Sequence, residues 1–189
     1  AKWAITGAED LQRGLGCAVL NAASNSLRST ETIGNKDLMY KNINSDDTVG
    51  VIGHMPPLVK TIAPRVKKYI SFDRAIDING SIEDVSVYPV SMQAELLPQC
   101  DVVFISGTTM INHTTDKIIK MCTKAREISL LGFSVPFYPE AYEDSGLSNI
   151  SGVEFKKDCK EILFKKISMG CGRLTMHQYT HGHFYKINN

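Results

Sequence analysis

Cys171, His177, His181 and His183 fall within the thirteen residues "CGRLTMHQYTHGH" near the end of the chain. Thiolate and imidazole ligate borderline transition metals at ~2.0–2.3 Å, and a closed site takes four such groups. These four residues meet that demand only if the chain loops back on itself. On a helix His177 and His181 would share one face. The stretch "RLTMHQYTHGHFY" is rich in Thr, Tyr, Phe and Gly, however, which makes a poor helix. On a strand His181 and His183 would share a face, with Gly182 opposite. A transition-metal site is therefore one reading. Ranked ahead of it is a C-terminal extension, residues 176–189, whose Tyr179, Phe184 and Tyr185 pack on the preceding domain.

Three loops suggest binding of another kind: "GHMPP" (53–57), "SGTTMINHTT" (106–115) and "GFSVPFYP" (132–139). Each carries a glycine at or beside its start, where backbone bends sharply or approaches a ligand. Ser106, Thr108 and Thr109 offer hydroxyls, Gly107 exposes backbone, and Asn112 or Thr114 suits the cap of a following helix. The positive end of such a helix would favour a carboxylate or phosphate. The same residues serve equally well if they only cap and turn. Ser134, Pro136 and Tyr138 would form the opposite wall. Asp73 lies 20 positions after Gly53, where a ribose-binding acid falls in dinucleotide sites. Yet G-x-G-x-x-G is absent, and Pro56 and Pro57 remove two N–H donors where a pyrophosphate would sit. NAD is not expected. Nor is there a G-x-S-x-G elbow, a P-loop or an H-E-x-x-H, so the sequence names no reaction.

Strands and helices have to carry these loops. "TVGVIG" (48–53), "YISFD" (69–73), "DVVFISG" (101–107) and "EISLLG" (127–132) are short apolar runs, the signature of strands buried on both faces; "GVEF" (152–155) reads as an edge strand. Between them "PPLVKTIAPRVKK" predicts a helix interrupted at Pro64, "VSMQAELLPQC" a short helix, residues 112–126 a longer one with Ile118, Ile119 and Cys122 inward, and residues 158–168 a last one. This alternation predicts an α/β, Rossmann-like three-layer domain with a mostly parallel sheet over residues 47–175. Residues 1–46 precede it as a helical segment and connector, with a helix from near Glu9 and a turn around Asp37 to Lys41. In that first helix Leu11, Leu15, Val19 and Ala22 form an apolar stripe expected to face the core. Gly14, Gly16, Cys17 and Ala18 make a second, small side that would let another element approach closely.

Composition narrows the partners. The 189 residues are 43% hydrophobic and 22% charged, as in an ordinary globular protein. Lys+Arg 21 against Asp+Glu 20 leaves a net charge of +1, which gives no footprint for nucleic acid or an anionic membrane. No stretch reaches the ~20 apolar residues of a membrane span. Five scattered cysteines without C-x-x-C read as reduced thiols of a cytoplasmic protein.

Taken together, "VGVIGHMPPLV", "DVVFISGTTMINHTT", "LLGFSVPFYPEA" and "ISMGCG" resemble the heavy-metal chelation domain family, a domain of unknown function. The resemblance runs from about Asp47 to Gly172. It implies a Rossmann-like fold with a cleft at the loop edge that binds a heavy metal or a metal-chelating small anionic metabolite. Matching positions are Gly53, Pro56 and Pro57, then Ser106, Gly107, Thr108, Asn112 and Thr114, then Gly132, Ser134 and Pro136; Gly170 and Gly172 match a glycine-rich turn. His54 and His113 depart from the pattern and inherit no role. Longer relatives carry an amino-terminal domain similar to the small cap of enolases, of which this chain would hold only part. Either a second subunit, in a homodimer through the first helix, would then supply the missing wall, or the cleft would be more open. The alternative function is an enzyme acting on a small anionic or nucleotide-like substrate in the same cleft, with Asp73 or a histidine as proton carrier.

Overall fold

The sheet grows outward from strands in which branched residues alternate between two buried faces. A computed structural model describes residues 1–27, 39–75, 80–82 and 85–187. Its amino-terminal helices are α1 (Trp3–Thr6) and α2 (Asp10–Leu27). There follow β1 (Thr48–Ile52), α3 (Pro56–Ile62), β2 (Lys68–Phe72), β3 (Gly80–Ile82), β4 (Val85–Tyr88), α4 (Gln93–Leu96) and β5 (Val102–Ser106). The second half comprises α5 (Thr108–Ile111), α6 (Thr115–Met121), β6 (Glu127–Leu131), β7 (Asn149–Phe155), α7 (Lys160–Ser168), α8 (Arg173–Met176) and β8 (Thr180–Lys186). The eight strands lie in the order β3-β4-β2-β1-β5-β6-β7-β8. All neighbours are parallel except the two edge pairs, β3 with β4 and β7 with β8. This is the expected Rossmann-like α/β architecture, preceded by a helical segment.

Val49 and Val51 of β1 and Val102 and Phe104 of β5 pack with Leu58, Val59 and Ile62 of α3 on one face. Ile52, Val103 and Ile105 pack on the other with Ile118 and Cys122. The period of two in each strand thus feeds a core on both sides of the sheet. Pro64 acts as expected: α3 ends at Ile62 and the chain passes into a 3-10 turn over Ala63–Arg65. The turn expected around Asp37 to Lys41 lies partly outside the described residues; residues 39–40 form a 3-10 turn. At the amino end of the sheet Arg126 donates to both carboxylate oxygens of Asp47 (2.8 and 2.6 Å) and to the Asn42 carbonyl (2.8 Å). These bonds hold the Asp47 carboxyl below the usual carboxylate range.

Several elements differ from the sequence reading. Residues 80–88, read as loop, contain β3 and β4. Val85 and Val87 alternate with Ser86 and Tyr88 over only four residues, too short a pattern to stand out. The expected extension is part of the sheet itself, since β8 pairs with β7 along its full length. Phe184 there is buried with Val51 and Phe104. The first helix is turned about its axis relative to expectation. Its stripe faces outward, with Leu11 82%, Leu15 54% and Val19 46% exposed, while Gly16, Cys17 and Ser24 are buried. The small side decides this: a Cβ on Gly16 would lie 2.1 Å from the Ala4 nitrogen, so only glycine lets α1 pack there. Among the described residues, no helix is long and apolar enough to cross a membrane.

Candidate functional site

From β1 the chain runs to β2 on one side and later returns to β5 on the other, so strand order reverses between β1 and β5. In such sheets a crevice opens outside the carboxyl ends of the two strands. A cleft of about 170 Å³ lies there. Gly53, Asp73 and Ser106 line it, with Thr108, Thr109, Asn112 and Thr114 from the second loop. Gly53 turns the chain out of β1 with φ +91°, a conformation that favours glycine. The Asp73 carboxylate accepts hydrogen bonds from the His54 N–H (3.0 Å) and the Ala75 N–H (2.9 Å). It braces the first loop, a task that competes with service as a ribose-binding acid or proton carrier.

In the second loop the expected helix over residues 112–126 is two shorter ones. α5 starts immediately after β5, and the chain breaks before α6 where His113 adopts φ +57°. Neither Asn112 nor Thr114 caps α6 through its side chain. Instead the Thr114 hydroxyl donates to Asn112 Oδ1 (2.6 Å). Thr109 Oγ1 donates to the Ser106 carbonyl (2.8 Å), which makes Thr115 the donor in the 2.8 Å Thr109–Thr115 contact. Ser106 Oγ and Thr108 Oγ1 pair at 2.9 Å. Most of the loop's hydroxyls therefore fix its own shape. With four and seven residues, α5 and α6 do not provide the helix-end charge anticipated for an anion.

The third loop stands beside this cleft. Gly107 donates to the Leu131 carbonyl (2.8 Å), and a Cβ on it would lie 2.7 Å from Val135 Cγ2, so the second and third loops meet backbone to side chain. Gly132, at φ +127°, then directs its loop away. Ser134 lines a different hollow beneath α2, and Gly132 an apolar one beside Met55 and Pro57. Pro56 lies in the first turn of α3. Two residues that sequence reasoning passed over do line the cleft, Arg74 and Gln93. Arg74 directly follows Asp73 at a strand end, a signal that was available; Gln93 sits in a short helix with no distinguishing pattern.

The tail residues are spread out. His181 and His183 lie on β8, His177 in the 3-10 turn before it and Cys171 beyond α7. Extended pairing with β7 prevents the loop-back that four ligands would need. Among the described residues, no three of His, Cys, Asp and Glu are grouped to hold a metal ion. His181 is exposed, whereas His183 is buried, its ring 5.3 Å from that of Phe137 and its Nε2 3.5 Å from Glu154 Oε2.

A profile of the family described as "Putative heavy-metal chelation" (DUF364) matches residues 37–186. The chain belongs to that family. The match includes β8, in keeping with its place in the sheet. An uncharacterised protein of Methanocaldococcus jannaschii is 30% identical over 163 residues, covering 84% of this chain and 60% of that protein. The chain thus spans less than two thirds of this relative's length. Crystal structures of two DUF364 proteins of unknown function share the fold. That from Pyrococcus horikoshii has a TM-score of 0.81 at 20% identity, over 97% of this chain and 72% of its own. That from Desulfitobacterium hafniense has a TM-score of 0.75 at 24% identity, over 94% and 68%.

Chelation by a DUF364 protein's own side chains calls for thiolate or imidazole if the metal is soft. Here burial pushes the Cys100 thiol up to about 11 and the Cys122 thiol up to about 12, and raises that of Cys17. At neutral pH these three are therefore buried, protonated thiols. The cleft offers hydroxyls, amides and a carboxylate already engaged, beside one guanidinium. That donor set does not fit a bare soft cation. It fits an anion.

Proposed function

We propose that the cleft outside β1 and β5 binds a small anionic metabolite, including one that carries a chelated metal, without breaking a bond. The observation that supports this most is Arg74, the one cationic side chain among the described residues lining the cleft, beside Asp73, Ser106, Thr108 and Asn112. A guanidinium forms charge-assisted, often bidentate bonds with carboxylate or phosphate. At about 170 Å³ the cleft is smaller than the ~300–1,000 Å³ of drug-sized sites, which suits one anionic group better than a whole nucleotide. Asp73, engaged by two N–H groups, favours binding over proton transfer, and so over the enzyme alternative. Thermal-shift titration with citrate and inorganic phosphate, each with and without Ni²⁺, tests the reading. A cleft ligand at 100 times its Kd adds ~2.7 kcal/mol of stability. Arg74→Ala should cut that gain by about half; a gain undiminished in this variant would sink the proposal.

The same proposal includes a homodimer in the cytoplasm. The outward stripe of Leu11, Leu15 and Val19 supports self-association through α2, and five free cysteines suit a reducing compartment. Sedimentation velocity should show a dimer that Leu15→Glu converts to a monomer. A monomeric parent protein would end this part of the reading.

A further inference from the structure

We infer that the ligand of the cleft outside β1 and β5 is a small α-amino acid, held by its carboxylate at Arg74 and by its ammonium group at Asp73 and Gln93. This deepens the anion reading and rests on it, since the carboxylate is the anion that Arg74 holds. What it adds is a positive charge on the ligand.

Among the described residues, the charged side chains lining the cleft are Asp73 and Arg74, one of each sign. They are adjacent in the chain, yet neither forms an ion pair with the other or with a third described residue. The Arg74 guanidinium has no hydrogen-bond partner among the described residues either. Asp73 accepts one N–H at each carboxylate oxygen. An ionised carboxyl has about four lone-pair sites, so each oxygen can accept once more, and neutral amides leave its charge in place. A ligand with negative charge alone would gain from Arg74 but meet Asp73 beside it. A ligand that carries both signs meets an opposite charge at either end.

Gln93 points to a ligand independently. It lines the cleft from the start of α4 and is only 7% exposed, yet its carboxamide has no hydrogen-bond partner among the described residues. Unlike the Asn21 and Asn25 oxygens, its oxygen and nitrogen are not sealed off, so a ligand in the cleft can reach them. A polar side chain buried this far costs stability until it finds a partner. A carboxamide both accepts and donates, so Gln93 serves an ammonium through Oε1 and a carboxylate through Nε2. Buried Ile52, Phe72 and Ile118 supply the apolar part of the lining. Within about 170 Å³ that lining favours a short apolar side chain over a long or charged one.

The test titrates the full chain by calorimetry with three matched ligands. These are L-valine, L-2-hydroxyisovalerate, whose hydroxyl replaces the ammonium, and L-valinamide, which lacks the carboxylate. Valine should bind with a Kd below about 1 mM, and each analogue roughly tenfold more weakly or worse. Asp73→Asn, similar in shape but neutral, should erase the preference for valine over the hydroxy acid. Gln93→Leu should weaken valine binding about tenfold. A hydroxy acid that binds as tightly as valine, with both weakened by Arg74→Ala, would overturn the amino acid and leave the anion reading intact. Valine binding that Arg74→Ala leaves unchanged would overturn both. Absence of saturable valine binding, valinamide equal to valine, or a preference retained in Asp73→Asn would also end the assignment. Should Asp73→Asn fail to fold, the three ligands on the parent protein decide alone.

Discussion

The two hollows at the carboxyl edge of the sheet, the cleft and the one beneath α2, share the end of α5 as a wall but are built on opposite terms. In the cleft outside β1 and β5, side chains spend their polar groups locally. Asp73 holds its own loop, Thr109 ties back to Ser106, and Thr114 bonds Asn112. Such a site is rigid and leaves few groups for a ligand, chiefly Arg74, Gln93 and the unused lone pairs of Asp73. Beneath α2 the walls come from separate elements, docked through Arg13 and Asn21, and two amide oxygens remain unsatisfied. Sites within a single strand-to-helix loop thus tend toward a fixed shape with little free chemistry. A hollow assembled across elements depends on the docking.

That contrast can be broken first at α1 and α2. Gly16→Ala would set a methyl against the Ala4 backbone, so overpacking should cost on the order of 3 kcal/mol in urea unfolding. Hydrogen exchange should show α1 loosened while the anion cleft keeps its ligand response. Loss of the ligand response as well would mean that the hollows are one cooperative unit. Next comes Asp73→Ala, which strips the acceptor from two N–H groups and should cost about 1–2 kcal/mol, with loss of cleft binding. Arg74→Ala should leave the unfolding midpoint in place and weaken anion binding about tenfold, or ~1.4 kcal/mol.

The smallest effect belongs to the opposite edge of the sheet. Because Arg126 lowers the folded-state pKa of Asp47, this pair contributes stability above the ordinary carboxylate range. The contribution is lost as pH falls through the lowered folded value. Asp47→Asn should therefore flatten part of the acid limb of a stability–pH curve, and should not alter ligand preference in the cleft.

Much of this was legible from local pattern. The four apolar runs became β1, β2, β5 and β6 within a residue of their expected limits, and Gly53 and Gly132 take the positive φ that their loop positions required. Ser106, Thr108, Thr109, Asn112 and Thr114 do gather at one edge with Gly53 and Asp73. Less legible was anything that depends on rotation or pairing. The apolar stripe of α2 was read as a core face, but hydrophobic spacing gives a stripe without saying which way it turns. The tail was read as an extension because Gly182 and the interspersed histidines mask a strand that only β7 stabilises.

By itself the sequence determined the α/β order of elements, the parallel centre of the sheet and the glycine-led loops at its edge, because period, turn chemistry and chain connectivity are local properties. Tertiary structure alone decided that β8 completes the sheet, that the third loop leaves the cleft, and that α2 presents amides inward and leucines outward. Those outcomes turn on contacts between distant segments, such as Gly16 against Ala4 or Gly107 against Val135, whose energies no single stretch of residues contains.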